Sequence, residues 1–479
     1  MAAPIQPKLV AFDLDGTVWY PWLNSKIFHG PDNLEPFTTQ DGQLQIRDKK
    51  NHATHVTLSK DIGRIITDLV KRNIQIAIVS RNDDKALCDR ALFYSYANDP
   101  HTNKPVSIIK FVNYDEIIDQ SKLGHFKRIQ QWSGFSYADM LFFDDQPLNM
   151  EVETWEGVTF QLIPHGHNSI TWADYTAGLE VWQRNRRIFV PFGPKHPTVV
   201  DHHPNRMLIG YAGTDHATAK EYVQGHRRPW TEHPRPARWG NALYASDDPQ
   251  IAFFFSQYMR ESESPSNLFV CEIFVRDKQV FIDELAKLWF YPEPKYLTNN
   301  VPTGTGTLTP AQETELAERI AESQVRRDEY FKESFKIFKP YALFSRHHYM
   351  TEMGKPKYQV DINPKKRFTE LVLYPMIQDH LLFGQKIPLE QARKMAKTGK
   401  LRPLHYEHHV KDWKITVPQE TIADCNKHDG VDFFKPEGHG PSGMPHQPSQ
   451  PVAPGQPVAQ AQSYNILRGI DPSEYMGSI

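Results

Sequence analysis

Residues 7–17 read PKLVAFDLDGT, and this stretch decides the fold. Leu9 to Phe12 make a short, unbroken apolar run that stops abruptly at Asp13. Such a run suits a strand buried on both faces whose carboxyl end opens into a polar loop. The pattern recurs at residues 74–81 (IQIAIVSR) and 140–145 (MLFFDD). Between the first two, residues 60–72 (KDIGRIITDLVKR) place Ile62, Ile65, Ile66, Leu69 and Val70 on one face at helical spacing. Strands alternating with amphipathic helices predict βαβ units: an α/β fold with a parallel sheet and helices on both faces. Each acidic or polar cluster follows its strand, at the sheet edge where ligands bind in such folds.

The rest of the 479-residue chain bounds the answer. Lys plus Arg number 55 and Asp plus Glu 57, a net charge of −2, which gives no electrostatic reason to expect a nucleic acid partner. Cys88, Cys271 and Cys425 are too scattered for a disulfide framework or a thiolate zinc site. The first residues lack the basic and apolar regions of a secretory signal, and no apolar run approaches the ~20 residues of a membrane helix. The expectation is an intracellular protein, cytoplasmic or nuclear, with no membrane association. We expect an α/β domain over 1–185, a Pro- and His-bearing linker over 186–205, and a second, α+β domain over 206–420. Strands are expected there at Met207–Tyr211, Leu268–Val275 and Glu370–Tyr374, with a helix over 309–327. Much of the excess of 37 prolines over 26 glycines falls in the linker and after residue 420. Residues 421–479 are read as a largely disordered tail, Pro/Gln/Gly/Ser-rich at 438–462, free to bind a protein partner. The histidine pairs 165/167, 202/203, 347/348 and 408/409 lack the third ligand and the spacing of a zinc site, and are read as surface or linker residues.

The chemistry-bearing residues are Asp13, Asp15, Ser80, Arg81, Lys122, Asp144 and Asp145, each just beyond an apolar strand or at a helix start. A carboxylate can attack phosphorus without prior deprotonation at neutral pH, which divides one hard hydrolysis into two easier steps. Asp13 is placed for that attack, and Asp15, two residues on, for delivering and removing a proton. Carboxylates facing a phosphate dianion need a hard cation. Mg²⁺, an oxygen-seeking ion, fits Asp13, the Asp15 carbonyl and Asp144. Ser80 can donate to a phosphate oxygen and Lys122 can neutralise charge on the transferring group. Asp145 is expected either to orient Lys122 or to act through the metal's water shell. Singly these residues have ordinary roles, as turn aspartates, a helix cap and a surface lysine. Their order, each at the end of an element, is what points to a site.

FDLDGTVW, IVSRNDD, SKLGHFKRI and LFFDD, in this order, resemble the four signature segments of the haloacid dehalogenase (HAD) superfamily. The resemblance is strongest to the magnesium-dependent phosphatase-1 group, through Trp19 to Trp22, the Ser-Arg pair, the SKxxHF segment and the FFDD pair, and it covers roughly residues 7–182. It implies a HAD-like, Rossmannoid sheet, Asp13 as nucleophile and Asp15 as acid/base. It also implies Ser80 and Lys122 as phosphate ligands, Asp144 as metal ligand with Asp145 supporting it, and Arg81 facing the substrate. The implied activity is Mg²⁺-dependent hydrolysis of a phosphomonoester, either phosphotyrosine or a small phosphorylated metabolite. Gln146 departs from the acidic residue common at that place, which is expected to loosen the outer metal shell. Residues 32–53 exceed the family minimum and are expected to lie over the site.

In the second domain, Ile209-Gly-Tyr-Ala-Gly-Thr214, Leu243-Tyr-Ala-Ser246 ahead of a helix, and Glu370 at a late strand's start resemble the three-part layout of the ADP-ribosyltransferase fold. That likeness implies NAD⁺ in a cleft, Tyr244 stacked on nicotinamide, Glu370 on the ribose and Thr214 at the ligand. Ala212 stands where that fold usually has His or Arg, with Asp215 and His216 as neighbouring substitutes. Three functions are thus open: a phosphatase fused to a transferase-like domain of undecided activity, an ADP-ribosyltransferase with an accessory HAD domain, or a non-catalytic binding or scaffold protein.

Overall fold

The computed structural model describes residues 5–164, 168–189, 205–226, 239, 242–258, 265–290, 309–347, 367–431 and 433–434. The described chain divides into two compact units. One holds the chain through Phe189 together with residues 317–328 and 374–381, and the other holds the remaining described residues.

The first unit is built on β1 (Leu9–Phe12), all four residues of which are buried. β2 (Trp19–Tyr20), β3 (Leu34–Thr38), β4 (Leu44–Asp48) and β5 (Asn51–Leu58) follow, then α1 (Ile62–Lys71), β6 (Gln75–Ser80) and α2 (Lys85–Tyr94). A short hairpin of β7 (Tyr96–Asn98) and β8 (Pro105–Ser107) leads to β9 (Val112–Ile117) and α3 (Lys122–Ser133). β10 (Met140–Asp144), α4 (Glu151–Trp155), β11 (Thr159–Leu162) and α5 (Trp172–Phe189) complete it. The central sheet has the order β11-β10-β1-β6-β9, with every neighbouring pair parallel. The chain leaves β1 for β6 and β9 on one side, then crosses back to β10 and β11 on the other. β1 and β10 therefore flank the topological switch point, and the crevice beyond their carboxyl ends is where such sheets bind ligands.

Alternation along the strands feeds two separate cores. Val10, Phe12, Ile76, Ile78, Leu141 and Phe143 pack on one face with Ile65 and Leu69 of α1, Leu87 of α2 and Tyr175 and Trp182 of α5. Leu9, Ala11, Ala77, Val79, Met140 and Phe142 pack on the other with Phe126 and Ile129 of α3 and Val152 of α4. A sheet apolar on both faces and covered on both is the arrangement the continuous strand runs require. Of the helical face read at residues 60–72, Ile62, Ile65, Ile66 and Leu69 are buried, with Val70 partly so. Residues 32–53 form most of a second, antiparallel sheet of order β2-β5-β4-β3.

The second unit contains β12 (Met207–Asp215), α6 (His216–Val223), β13 (Leu243–Ser246), α7 (Pro249–Tyr258), β14 (Leu268–Val275) and β15 (Ala286–Phe290). α8 (Pro310–Phe335), β16 (Tyr341–His347), β17 (Phe368–Leu373), α9 (Pro375–Leu381) and β18 (Leu382–Pro388) follow, although residues 317–328 of α8 and 374–381 group with the first unit. Its sheet has the order β15-β16-β17-β13-β12-β14-β18, antiparallel except for β15 with β16. It is the α+β architecture expected. Helix α8 begins at a Thr309 cap as the Thr/Pro signal requires, and runs past the expected end at residue 327. Most of the expected linker and tail, including residues 438–462, and His165, His167, His202, His203 and His348 lie outside the described residues. Among the described residues, no helix is long and apolar enough to cross a membrane.

Helix α5 closes on the sheet at Gly178, where an added Cβ would sit 2.5 Å from the Phe143 ring. Phe143 is itself stacked on Phe12 at 5.5 Å and has little room to give. Gly178→Ala is expected to lose about 1–3 kcal/mol from overpacking, more than the ~1 kcal/mol of helix propensity gained. Urea unfolding reads the balance, and an unchanged or raised midpoint would show that α5 does not seat against Phe143.

Candidate active site

The site forms because β1, β6 and β10 all end at one edge. Phe12 and Phe143 are partners in register, and the Asp13 amide donates to the Phe143 carbonyl at 2.9 Å. This aligns Asp13, the first residue beyond β1, with Asp144, the last of β10. One ligand oxygen each from Asp13, Asp144 and Asp145 lies within 4.8 Å of the others. Lys122, the first residue of α3, reaches this cluster from below, 1% exposed. Its ammonium donates to Asp13 Oδ1 at 2.6 Å and to the Val79 carbonyl at 2.6 Å, and lies 3.3 Å from Asp144 Oδ2. Burial alone would lower the lysine's pKa, but the facing Asp13 and Asp144 carboxylates outweigh it and hold it raised.

The aspartates show the opposite strain. Burial pushes Asp144 up to about 7, with Lys122 opposing and Asp13 adding to the rise. Burial and the nearby Asp13 charge push Asp145 up to about 6. Asp144 is braced by the Gln146 amide at 2.7 Å and Asn149 Nδ2 at 2.8 Å. Asp145 Oδ1 is buried without a hydrogen-bond partner. An all-oxygen donor set, an orphaned carboxylate oxygen and carboxylates whose ionisation is disfavoured are together what a hard divalent cation would resolve. The residues fit Mg²⁺.

Asp15 stands apart from the three-aspartate cluster. Its carboxylate accepts from Trp19 Nε1, the Leu23 amide and Asn82 Nδ2, and burial pushes it up to about 6 against those hydrogen bonds. Of this residue, the donor expected for a cation is the backbone carbonyl. Ser80, at the end of β6, is buried. Its hydroxyl oxygen accepts from the Asn82 amide at 3.2 Å, which leaves its proton free to donate. Arg81 is at the rim, half-exposed and 3.5 Å from the exposed Asp119, a weak pairing that a charged substrate can displace.

The Lys122 ammonium takes Asp13, Asp144 and the Val79 carbonyl as its partners. Gln146 Nε2 donates to Asp145 Oδ2 at 2.6 Å, a bond an ionised acid at this position could not donate. The sequence reading passed over Asn82, Asn149 and the indole of Trp19. Asn82 and Trp19 stand inside quoted segments, but only the fold turns their side chains onto Asp15.

In the second unit, Glu370 is the third residue of β17 rather than its start. It lies in register with Ser246, while Tyr244 lies in register with Val372, so Tyr244 and Glu370 share a sheet face. Tyr211 joins that face opposite Ser246, and Thr214, three residues further along β12, lies on the other. Thr214, Tyr244 and Glu370 are all buried, and the Tyr244 hydroxyl accepts from the Trp239 amide. Ala212 is buried opposite Cys271, and Asp215 caps α6 by accepting from the Thr218 amide.

Comparison with known proteins follows the same division. The acid phosphatase family matches residues 5–185. A HAD-like hydrolase superfamily protein of Schizosaccharomyces pombe is 34% identical over 154 residues, 32% of this chain and 84% of that protein. The chain belongs to the HAD-like hydrolase superfamily. Human magnesium-dependent phosphatase 1 is 27% identical over 178 residues, 37% of this chain and 88% of that protein. Among solved structures, the N-terminal part of a Bacteroides fragilis protein, containing a phosphatase domain complexed with Mg, aligns at 20% identity. It covers 36% of this chain and 40% of that chain with a TM-score of 0.24, a likeness that carries no part of the assignment. With the buried aspartate cluster, the family match and the two relatives make this HAD-like hydrolase a phosphatase with a Mg²⁺ site.

Raised carboxylate pKa values in the folded state mean that folding favours the protonated forms. For Asp15, Asp144 and Asp145 that stability is full below the ordinary carboxylate value of 3.8 and is lost as pH rises through about 6 to about 7. The metal-free protein should therefore melt progressively lower across that window. Millimolar Mg²⁺ should raise Tm strongly at about pH 8 and little at about pH 5, where protons compete for the ligands. Asp144→Asn should flatten the metal response. A Mg²⁺-induced shift equal at both pH values would contradict the ligand assignment.

Proposed function

We propose that this HAD-like phosphatase hydrolyses phosphomonoesters through a phosphoenzyme on Asp13. We place it with the magnesium-dependent phosphatase-1 group and take phosphotyrosine or a small aryl phosphate as substrate. The observation that carries the reading is the convergence of Asp13, Asp144 and Asp145 within 4.8 Å over the buried Lys122 ammonium. Bound through Asp13, Asp144, Asp145 and the Asp15 carbonyl, Mg²⁺ would supply charge neutralisation that lets a dianion approach a carboxylate.

The steps belong to the chain's own residues. Asp13 attacks phosphorus with the oxygen not held by Lys122, forming an acyl phosphate as the ester P–O bond breaks. Asp15 gives its proton to the departing oxygen. Water then attacks the phosphorus, Asp15 takes the proton back, and the P–O bond to Asp13 breaks, releasing phosphate and restoring the carboxylate. Lys122 and Ser80 hold charge and position on the transferring group, and Arg81 meets the substrate at the rim. Tyr20 and Trp22, both exposed in the segment just before Leu23, whose amide binds Asp15, support a flat aromatic leaving group.

The domain division supporting this reading is catalytic over 1–185 and α+β over 206–420, with the linker and tail outside the chemistry. An ADP-ribosyltransferase-like site has one observation in its favour, the face shared by Tyr244 and Glu370. Their burial and the placement of Thr214 on the other face weigh more, and we assign the second unit no NAD⁺-dependent chemistry.

Hydrolysis of p-nitrophenyl phosphate and a phosphotyrosine peptide should require Mg²⁺, stop with EDTA, and fall by at least about a hundredfold in Asp13→Asn. Sugar phosphates should be poorer substrates. Metal-independent turnover, or an unaffected Asp13→Asn variant, would overturn the mechanism. Nicotinamide release from NAD⁺ that is lost in Glu370→Ala would overturn the assignment for the second unit.

A further inference from the structure

The Asp15 carboxylate is held more completely than any turn aspartate requires. Trp19 Nε1 and the Leu23 amide both donate to Oδ1 at 2.7 Å, and Asn82 Nδ2 donates to Oδ2 at 2.8 Å. A carboxylate offers about four lone-pair sites, and three are taken here. The fourth is on Oδ2.

Asn82 cannot make this bond by accident of orientation. Its Oδ1 accepts from the Asp84 amide at 3.0 Å, and its Nδ2 also donates to the Leu23 carbonyl at 2.9 Å. Turning the amide over would set oxygen against two acceptors and nitrogen against a donor, so the network fixes which end faces Asp15. Asn82 is buried, as is Trp19, whose ring packs in the core shared with Leu14, Leu23 and Leu58. The loop after β6 and the start of β2 thus meet on a single carboxylate. Neither residue belongs to the three-aspartate cluster, and neither has an evident reason to be polar apart from Asp15 and its loop.

We propose that Asn82 and Trp19 are positioning residues that clamp Asp15 and leave one lone pair, on Oδ2, to exchange the proton with the leaving group and then with water. The inference rests on the phosphatase reading above. Proton delivery matters in proportion to how poor the leaving group is. Loss of the clamp therefore harms an alkyl phosphate far more than p-nitrophenyl phosphate, whose phenolate departs with little help. A general acid contributes about 10²–10⁴-fold, and a small misplacement forfeits much of that.

The test compares kcat/KM, which reports the steps through phosphoryl transfer, for glycerol 2-phosphate and p-nitrophenyl phosphate with Mg²⁺ present. Asn82→Ala and Trp19→Phe are measured beside Asp15→Asn, with thermal melts as a folding control. Trp19→Phe keeps an aromatic ring in the core and removes only the donor. The expected result is a loss on the alkyl ester at least about tenfold greater than on the aryl ester in both variants, the same imbalance as in Asp15→Asn. Equal losses on the two substrates, or no loss, would overturn the positioning role while leaving the phosphatase reading intact. Failure of the unaltered protein to hydrolyse either ester would instead sink both.

Discussion

The buried ammonium of Lys122 is the constraint on which the first unit depends. It sits at the switch point of a parallel sheet among groups that are all acceptors: Asp13, Asp144 and the Val79 carbonyl. Removing either sign from such a buried set leaves an uncompensated charge, which is among the most costly changes a core can suffer. The ammonium must be covered and the carboxylates paired, so α3 has to begin where it does and β1 and β10 have to end level with each other. The two-faced core supplies that precision. Phe12 stacked on Phe143, with α5 closed down at Gly178, leaves the strand ends little freedom to slide.

One lysine does not neutralise three clustered aspartates. Burial, with the Asp13 charge adding to it, raises the carboxylate pKa values of Asp144 and Asp145, and one Asp145 oxygen is left without a partner. The same feature that costs stability in the metal-free chain suits the site to a hard cation. The Asp15 carboxylate is held apart from this cluster by its own donors. Two aspartates two residues apart thereby have different surroundings, one facing a lysine and the other an indole, an amide and a backbone N–H.

Much of this was legible from residues 7–17 and their repeats. Three short apolar runs, two ending in Asp and one in Ser80, predict a parallel sheet with one polar edge, and four ordered segments point to Asp13, Asp15, Ser80, Lys122 and Asp144 as its candidate residues. What was not legible depends on distances between segments. Gln146 was read only as a departure from an acidic residue, and its hydrogen bond to Asp145 shows only in the fold. Asn82 was passed over, because its partner Asp15 is 67 residues away in the chain. In the second unit, short motifs suggested Thr214, Tyr244 and Glu370 as a cleft. Strand register decides which face a side chain takes, and a motif read one strand at a time cannot supply it.

The central claim is that Asp13 becomes phosphorylated during turnover. Rapid acid quenching during aryl phosphate hydrolysis with Mg²⁺, followed by peptide mass mapping, tests it most directly. The account predicts one hydroxylamine-labile phosphoryl group on the Asp13 peptide, absent when Mg²⁺ is withheld and absent in Asp13→Asn. Steady turnover with no such adduct, or with the phosphoryl group on another residue, would contradict it.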